Sequence, residues 1–271
     1  MPTADERLRH VTLKLKRANE HVAELERQLR AFLESKPYKV GTKEDRPARQ
    51  LVYYVTSVEP TPDCLPLIAG DAIQNLIGAL DHLAFQLVSV DTNDNPPNPR
   101  GIYFPIAEDV AKYDAKKGAQ LAGAHPDTFA AIDALRPYKG GTDDLWTLQA
   151  LNNIEKHRLL LTVGSQAGGV NIGDLVANVF GAQKGPEYVE ALQSIDAFLL
   201  PADKGFPLTP GFHLFLDSID HQPIVPQRFR FNVALNEPGI IEGQPLLDTL
   251  QQFTALVERV AAALAPRLTA P

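Results

Sequence analysis

The side chains best suited to chemistry lie on two stretches of this chain. The first, CLPLIAGDAIQNLIGALDHLAFQLV (64–88), carries Asp71, Asn75, Asp81 and His82 and holds no Lys, Arg or Glu. At 100° per residue, Asp71, Asn75, Gly78 and His82 fall within about 60° of one another. They lie opposite an apolar arc of Leu65, Ile68, Ala72, Ile73, Leu76, Leu80, Leu83 and Leu87. A solvated face would carry Lys and Glu. Short polar groups and a glycine imply instead that another element comes close and hydrogen-bonds them. The second stretch, DDLWTLQALNNIEKHRLLL (143–161), sets Trp146, Ala150, Asn153 and His157 on one stripe beside Ile154 and Leu161. If the two helices are neighbours, Asp71, Asn75, His82, Asn153 and His157 form one polar cluster. Glu155, Lys156 and Arg158 point to other faces.

Such a cluster has three readings. Imidazole titrates near neutrality, so His82 or His157 could do acid–base work, oriented by Asp71 or Asp81. Two histidines with an aspartate can also bind zinc or iron. Neither stretch has a Glu-x-x-His or His-x-x-x-His pair, however, and no metal is expected. The third reading is a satisfied core network in which amides and carboxylates fix the imidazoles and set the helix register. No P-loop, Rossmann glycine pattern or G-x-S-x-G elbow is present, so no cofactor is expected either. GSQAGG (164–169) reads as a turn. Cys64, the single cysteine, excludes an internal disulfide framework and a Cys-rich metal site, and reads as structural.

Four long helices must position these groups. Leu8, Val11, Leu15, Ala18, Val22, Leu25, Leu29 and Phe32 alternate at three and four residues, an a/d seam over more than three heptads. Asp5 and Glu6 suit the amino end of that helix and Pro37 ends it, which predicts a helix over 4–35. So narrow a stripe wants a partner helix, from this chain or from a second subunit. Further helices are predicted over 64–89, 143–161 and 245–265, the last on Leu246, Leu250, Phe253, Val257, Val260 and Leu264. Weaker helical signals fill 108–135. Residues 36–48 read as a polar loop, 51–58 as a strand, and 102–107 as a short edge strand. FHLFLD (212–217) and the alternating 228–235 are strands within a β-rich insertion over about 162–242. The expectation is a single α+β domain, 1–271: an antiparallel helical bundle with a small, mostly antiparallel sheet.

Charge narrows the function classes. The 271 residues carry a formal net charge of −7, with 44% hydrophobic residues. Residues 1–50 hold twelve Lys and Arg against eight Asp and Glu, for +4; the remainder holds 14 against 25, for −11. An acidic body disfavours general nucleic-acid binding. The exception is the first helix, where Arg7, Arg9, Lys14, Lys16 and Arg17 crowd into three turns. They are either a solvated face or a local patch for phosphate or a partner. The charged amino terminus and the lack of an 18-residue apolar run predict a cytoplasmic protein without a membrane span.

GDAIQNLIGALDHLAFQLV (70–88) with ALNNIEKHRLLLTV (150–163) resembles a family of uncharacterised bacterial proteins. That family joins a G-D-x3-N-L-x3-L-D-H helix to an N-N-x2-K-H-R helix. More distantly, the helix with a terminal His is similar to the HEPN bundle, whose nuclease members carry Arg-x4–6-His and dimerise around an RNA-cleaving site. That likeness implies a bundle, a dimer, and roles for His82 and Asn75. The arginine would fall at positions 75–77, which are Asn75, Leu76 and Ile77. Without a guanidinium to stabilise phosphorane charge, metal-independent cleavage loses its main electrostatic support. The leading expectation is therefore a protein that binds or assembles, as a homodimer or with a partner helix through residues 8–32. The alternative is a nuclease or metal-assisted hydrolase using His82 and His157.

Overall fold

A capping box starts the first helix: Thr3 accepts from the Glu6 amide while the Glu6 carboxylate accepts from the Thr3 amide. In the computed structural model, which describes residues 2–157, 161–199 and 205–269 without the side chains of Lys156 and His157, this helix is α1 (Ala4–Glu34). The hairpin β1 (Tyr38–Asp45) and β2 (Gln50–Val58) follows, then α2 (Cys64–Asp91). Next come α3 (Val110–Gln120), α4 (Pro126–Ala134) and α5 (Asp143–His157). The second half holds β3 (Val163–Asn171), α6 (Ile172–Lys184), α7 (Pro186–Gln193), β4 (Phe198–Leu199), β5 (His213–Ser218), β6 (Phe229–Glu237) and β7 (Ile241–Pro245). Helix α8 (Leu246–Leu264) closes the bundle.

The architecture is α+β, as the patterning predicts. Helix α2 is its centre. All eight residues of its predicted apolar arc are buried, and so are Ala69, Ile77, Ala79, Ala84 and Val88. Around it pack α1, α5 and α8. The heptad seam of α1 finds its partner helices inside the chain: Val11, Ala18, Val22, Leu25 and Leu29 are buried in the same core as α2 and α8. A second subunit is therefore not needed to cover the 8–32 seam. The six predicted apolar positions of α8 are buried as well.

The strands depart from expectation in several ways. They form two sheets, ordered β1-β2-β5 and β4-β3-β6-β7, with every strand pair antiparallel. The 36–48 segment, predicted as a loop, is largely strand β1: Lys39, Lys43, Glu44 and Asp45 are exposed, and an edge strand tolerates such charges. GSQAGG, predicted as a turn, lies in β3 in the interior of the second sheet. Residues 165–171 are all buried there, so small side chains fit a strand covered on both faces. Gly169 (φ +122°) sits at a register shift where a Cβ would come within 2.5 Å of the Leu199 carbonyl oxygen. Residues 102–107 form no strand; Ala107 makes one isolated bridge to Tyr138. The β-rich insertion also contains α6 and α7, and its strand β5 leaves to pair with β2. Leu161 lies beyond α5 rather than within it. A second, small core of Tyr38, Val55, Ala167 and Leu208 joins the two sheets.

Candidate functional site

The polar face of α2 is met by α1, not by α5. Lys14 lies across it: its Nζ donates to Asn75 Oδ1 at 3.3 Å, and its Cε is 3.5 Å from where a Gly78 Cβ would stand. The glycine thus admits a lysine stem, the close approach that its position predicts. Asn75 Nδ2 donates back to the Asp71 carbonyl at 2.8 Å, while the Asp71 side chain is exposed. One turn further along, the His82 ring meets His10 of α1, with centroids 5.6 Å apart and planes inclined by 59°.

These groups line one groove. Lys14, Gln74, Gly78, Asp81 and His82 border a cavity of about 440 Å³. His10, Lys14, Arg17, Asn75 and His82 border another of about 410 Å³ on the other side of the Lys14 stem. His10 and Arg9 continue it past Gln86 toward the start of α1. Lys14 and Arg17 stand about 4.5 Å apart along the helix axis, with His10 about one turn before Lys14. Among the carboxylates at this groove, Asp81 is engaged: it accepts the Phe104 amide at 3.0 Å. Partial burial pushes the pKa of His82 below the usual histidine value, and the charges of His10 and Lys14 push it the same way. The neutral imidazole is thereby favoured at His82.

The basic residues of α1 divide. Arg7 is buried and tied off: it forks onto Asp94 at 2.8 and 3.0 Å and reaches Gln86 at 3.2 Å. It belongs to the fold rather than to a phosphate patch. Lys16 is exposed, outside the groove's lining, whereas Arg9, Lys14 and Arg17 face it. Arg17 also pairs with Glu20 at 3.1 Å.

The expected union of the α2 and α5 polar faces does not occur. The two helices are neighbours, but Glu155, set aside on sequence grounds, is the residue that packs against Gly70 of α2. Asn153 is exposed and accepts from Gln149 at 2.9 Å, one turn back on its own helix. The side chain of His157 lies outside the described part of the structure. Its neighbour Asn152 is the buried member of the doublet, fully enclosed with neither amide atom hydrogen-bonded. The signal was there: Asn152 continues the buried row of Leu145, Leu148 and Leu151 at spacings of three and four.

A second polar network was not expected from sequence. Asp174 of α6 is fully buried, and its carboxylate accepts the Arg228 backbone amide and both forks of the Arg228 guanidinium, at 2.8–2.9 Å. Asn178, one turn on, accepts from the Ile224 and Val225 amides, and its carbonyl meets His221 Nε2 at 3.0 Å. His221 Nδ1 lies 2.8 Å from Asp217, and that hydrogen bond first, then the Asn178 carbonyl, raises its pKa. These residues strap the 217–230 segment to α6.

Among the described residues, no group of three or more His, Cys, Asp or Glu is placed to hold a metal, and no helix is long and apolar enough to cross a membrane. No protein-family model, curated protein or solved structure matches the chain. The fold and the groove therefore define it by their own terms: an α+β protein with a cationic groove between its two longest helices.

Proposed function

We propose that the protein acts by binding, and that the α1–α2 groove takes a phosphate-bearing ligand, a short single nucleic-acid strand being the class that fits. The observation behind this reading is the convergence of Lys14 and Arg17, beside the imidazoles of His10 and His82, on one groove in a chain whose overall charge is negative. A local cationic stripe on an acidic body selects a narrow anion and repels a duplex that would drape over the rest of the surface. Gln74, Asn75 and Gln86 add uncharged hydrogen-bonding groups along the same path.

Fluorescence anisotropy with a labelled single-stranded oligonucleotide tests it, at low and at physiological salt. Binding should weaken with rising salt, and Lys14→Ala with Arg17→Ala should lower affinity about tenfold or more. Affinity that ignores both the salt and the double variant would remove the reading. A second reading, a hydrolase with His82 as general base, draws on the position of His82 in the groove beside Lys14, where partial burial lowers its pKa. It predicts strand cleavage that His82→Ala abolishes while oligonucleotide affinity persists.

A further inference from the structure

Helix α6 is built inside out. Its inward positions are Asp174, Ala177, Asn178 and Gly181, polar or small, and they hold the buried network with Arg228, Val225 and His221. Its outward positions are apolar. Ile172 is 37% exposed, Val179 58% and Phe180 46%, with half-buried Val176 between them. Exposed Ile195 stands beside the amino end of this face, whereas Ile224, whose amide bonds Asn178, packs on Gly181 at the inward side. An amphipathic helix normally buries its apolar stripe. Here polar residues take the inside because the 217–230 segment needs hydrogen bonds from this helix, and the stripe is left outside.

We infer that this face is the contact between two copies of the chain, α6 lying antiparallel on α6 of the second copy across a two-fold axis. Two observations select a second copy. Between Ile172 and Gln183 the sole charged residue is Asp174, buried and paired, so the stripe offers no cation to nucleic acid or to an anionic membrane. The two ends are also complementary to each other. Asp196 and Arg230 pair beside the amino end, where the Ile172 amide bonds the Ala197 carbonyl; Lys184 and Glu187 stand at the carboxyl end. An antiparallel dimer sets Lys184 of one copy by Asp196 of the other, and Glu187 by Arg230, as an isologous contact requires. The helix dipoles then oppose each other favourably. Thirteen residues span about 20 Å, which with Ile195 makes a small interface and hence a weak, concentration-dependent dimer. The α1 seam, being covered within the chain, does not compete for this role.

Sedimentation velocity over a wide concentration range tests the inference. The wild type should show a monomer–dimer equilibrium, and Val179→Glu with Phe180→Glu should weaken it at least about tenfold, since each places a charge in the contact. Both side chains are outward, so at concentrations where the wild type is monomeric the melting temperature should not fall. In a Cys64→Ser background, Val179→Cys lies close to the helix midpoint and should cross-link to its own counterpart with a short bis-maleimide, while Leu13→Cys on α1 should not. A chain that stays monomeric at every concentration overturns the inference. So does a dimer that survives the double variant or fails to cross-link at 179.

Discussion

Asn152 and Asn153 are chemically identical neighbours with opposite surroundings. Asn153 is exposed, and its loss should cost little. Asn152 is enclosed with both amide atoms unpaired, a state that costs about 1–3 kcal/mol per stranded group. Asn152→Leu, which keeps the branched shape and removes both stranded groups, should therefore raise the melting temperature by several degrees, whereas Asn153→Ala should leave it within a degree or so. Thermal denaturation followed by circular dichroism checks both. Arg7 makes the reverse case. Arg7→Ala strips a buried fork from Asp94 and Gln86 and leaves a void, so it should destabilise by about 1–3 kcal/mol in chemical denaturation. His221 gives a pH signature. Its folded pKa lies above the unfolded value near 6.5, so its contribution is complete below that value and fades as pH rises through the folded one. The melting-temperature gap between wild type and His221→Asn should thus be wider near about pH 5.5 than near about pH 8.5. An equal gap at both would remove the charge-assisted bond from the account.

At the scale of elements, periodicity and burial agree where a helix has one dry face. The predicted apolar rows of α1, α2 and α8 are buried or half-buried because a single period of 3.6 governs each. Which helix meets which polar face is another matter. Lys14 reaches Asn75 because α1 crosses α2 at Gly78, and no spacing within either helix encodes that crossing. The same blindness hid β1, whose charges belong to a sheet edge, and β3, whose glycines belong to a strand buried on both sides. Helix α6 lay unforeseen within the predicted β-rich insertion, and its apolar stripe faces outward while its small and polar residues face in. Two substitutions weigh these elements. Asp174→Asn leaves the buried end of the Arg228 fork without its counter-charge and should cost about 3 kcal/mol. Gly169→Ala forces a side chain into a positive φ and against the Leu199 carbonyl, and should cost about 2 kcal/mol or more. Urea titration reads both, and an effect below about 0.5 kcal/mol in either case would mean the local geometry relaxes freely.

For the molecule as a whole, the ties between chain ends matter most. Asn19 of α1 reaches Glu258 of α8 across 239 positions, and Arg49 pairs with Asp220 across 171. Helix α2 lies under α1, α5 and α8 together, so its amides should be the last to exchange with deuterium, and Leu80→Ala should cost about 2–5 kcal/mol. The order of manufacture turns this closure into a delay. A ribosome adding about 5–20 residues per second finishes α1 and α2 roughly ten to thirty seconds before it delivers α8. Throughout that interval the long helices emerge with the flank that α8 covers bare, and for most of it strand β2 also waits for β5. A nascent chain halted before Leu246 then holds both sheets over an uncovered helical flank, work for a chaperone or a protease, and the last helix is what releases it from their attention.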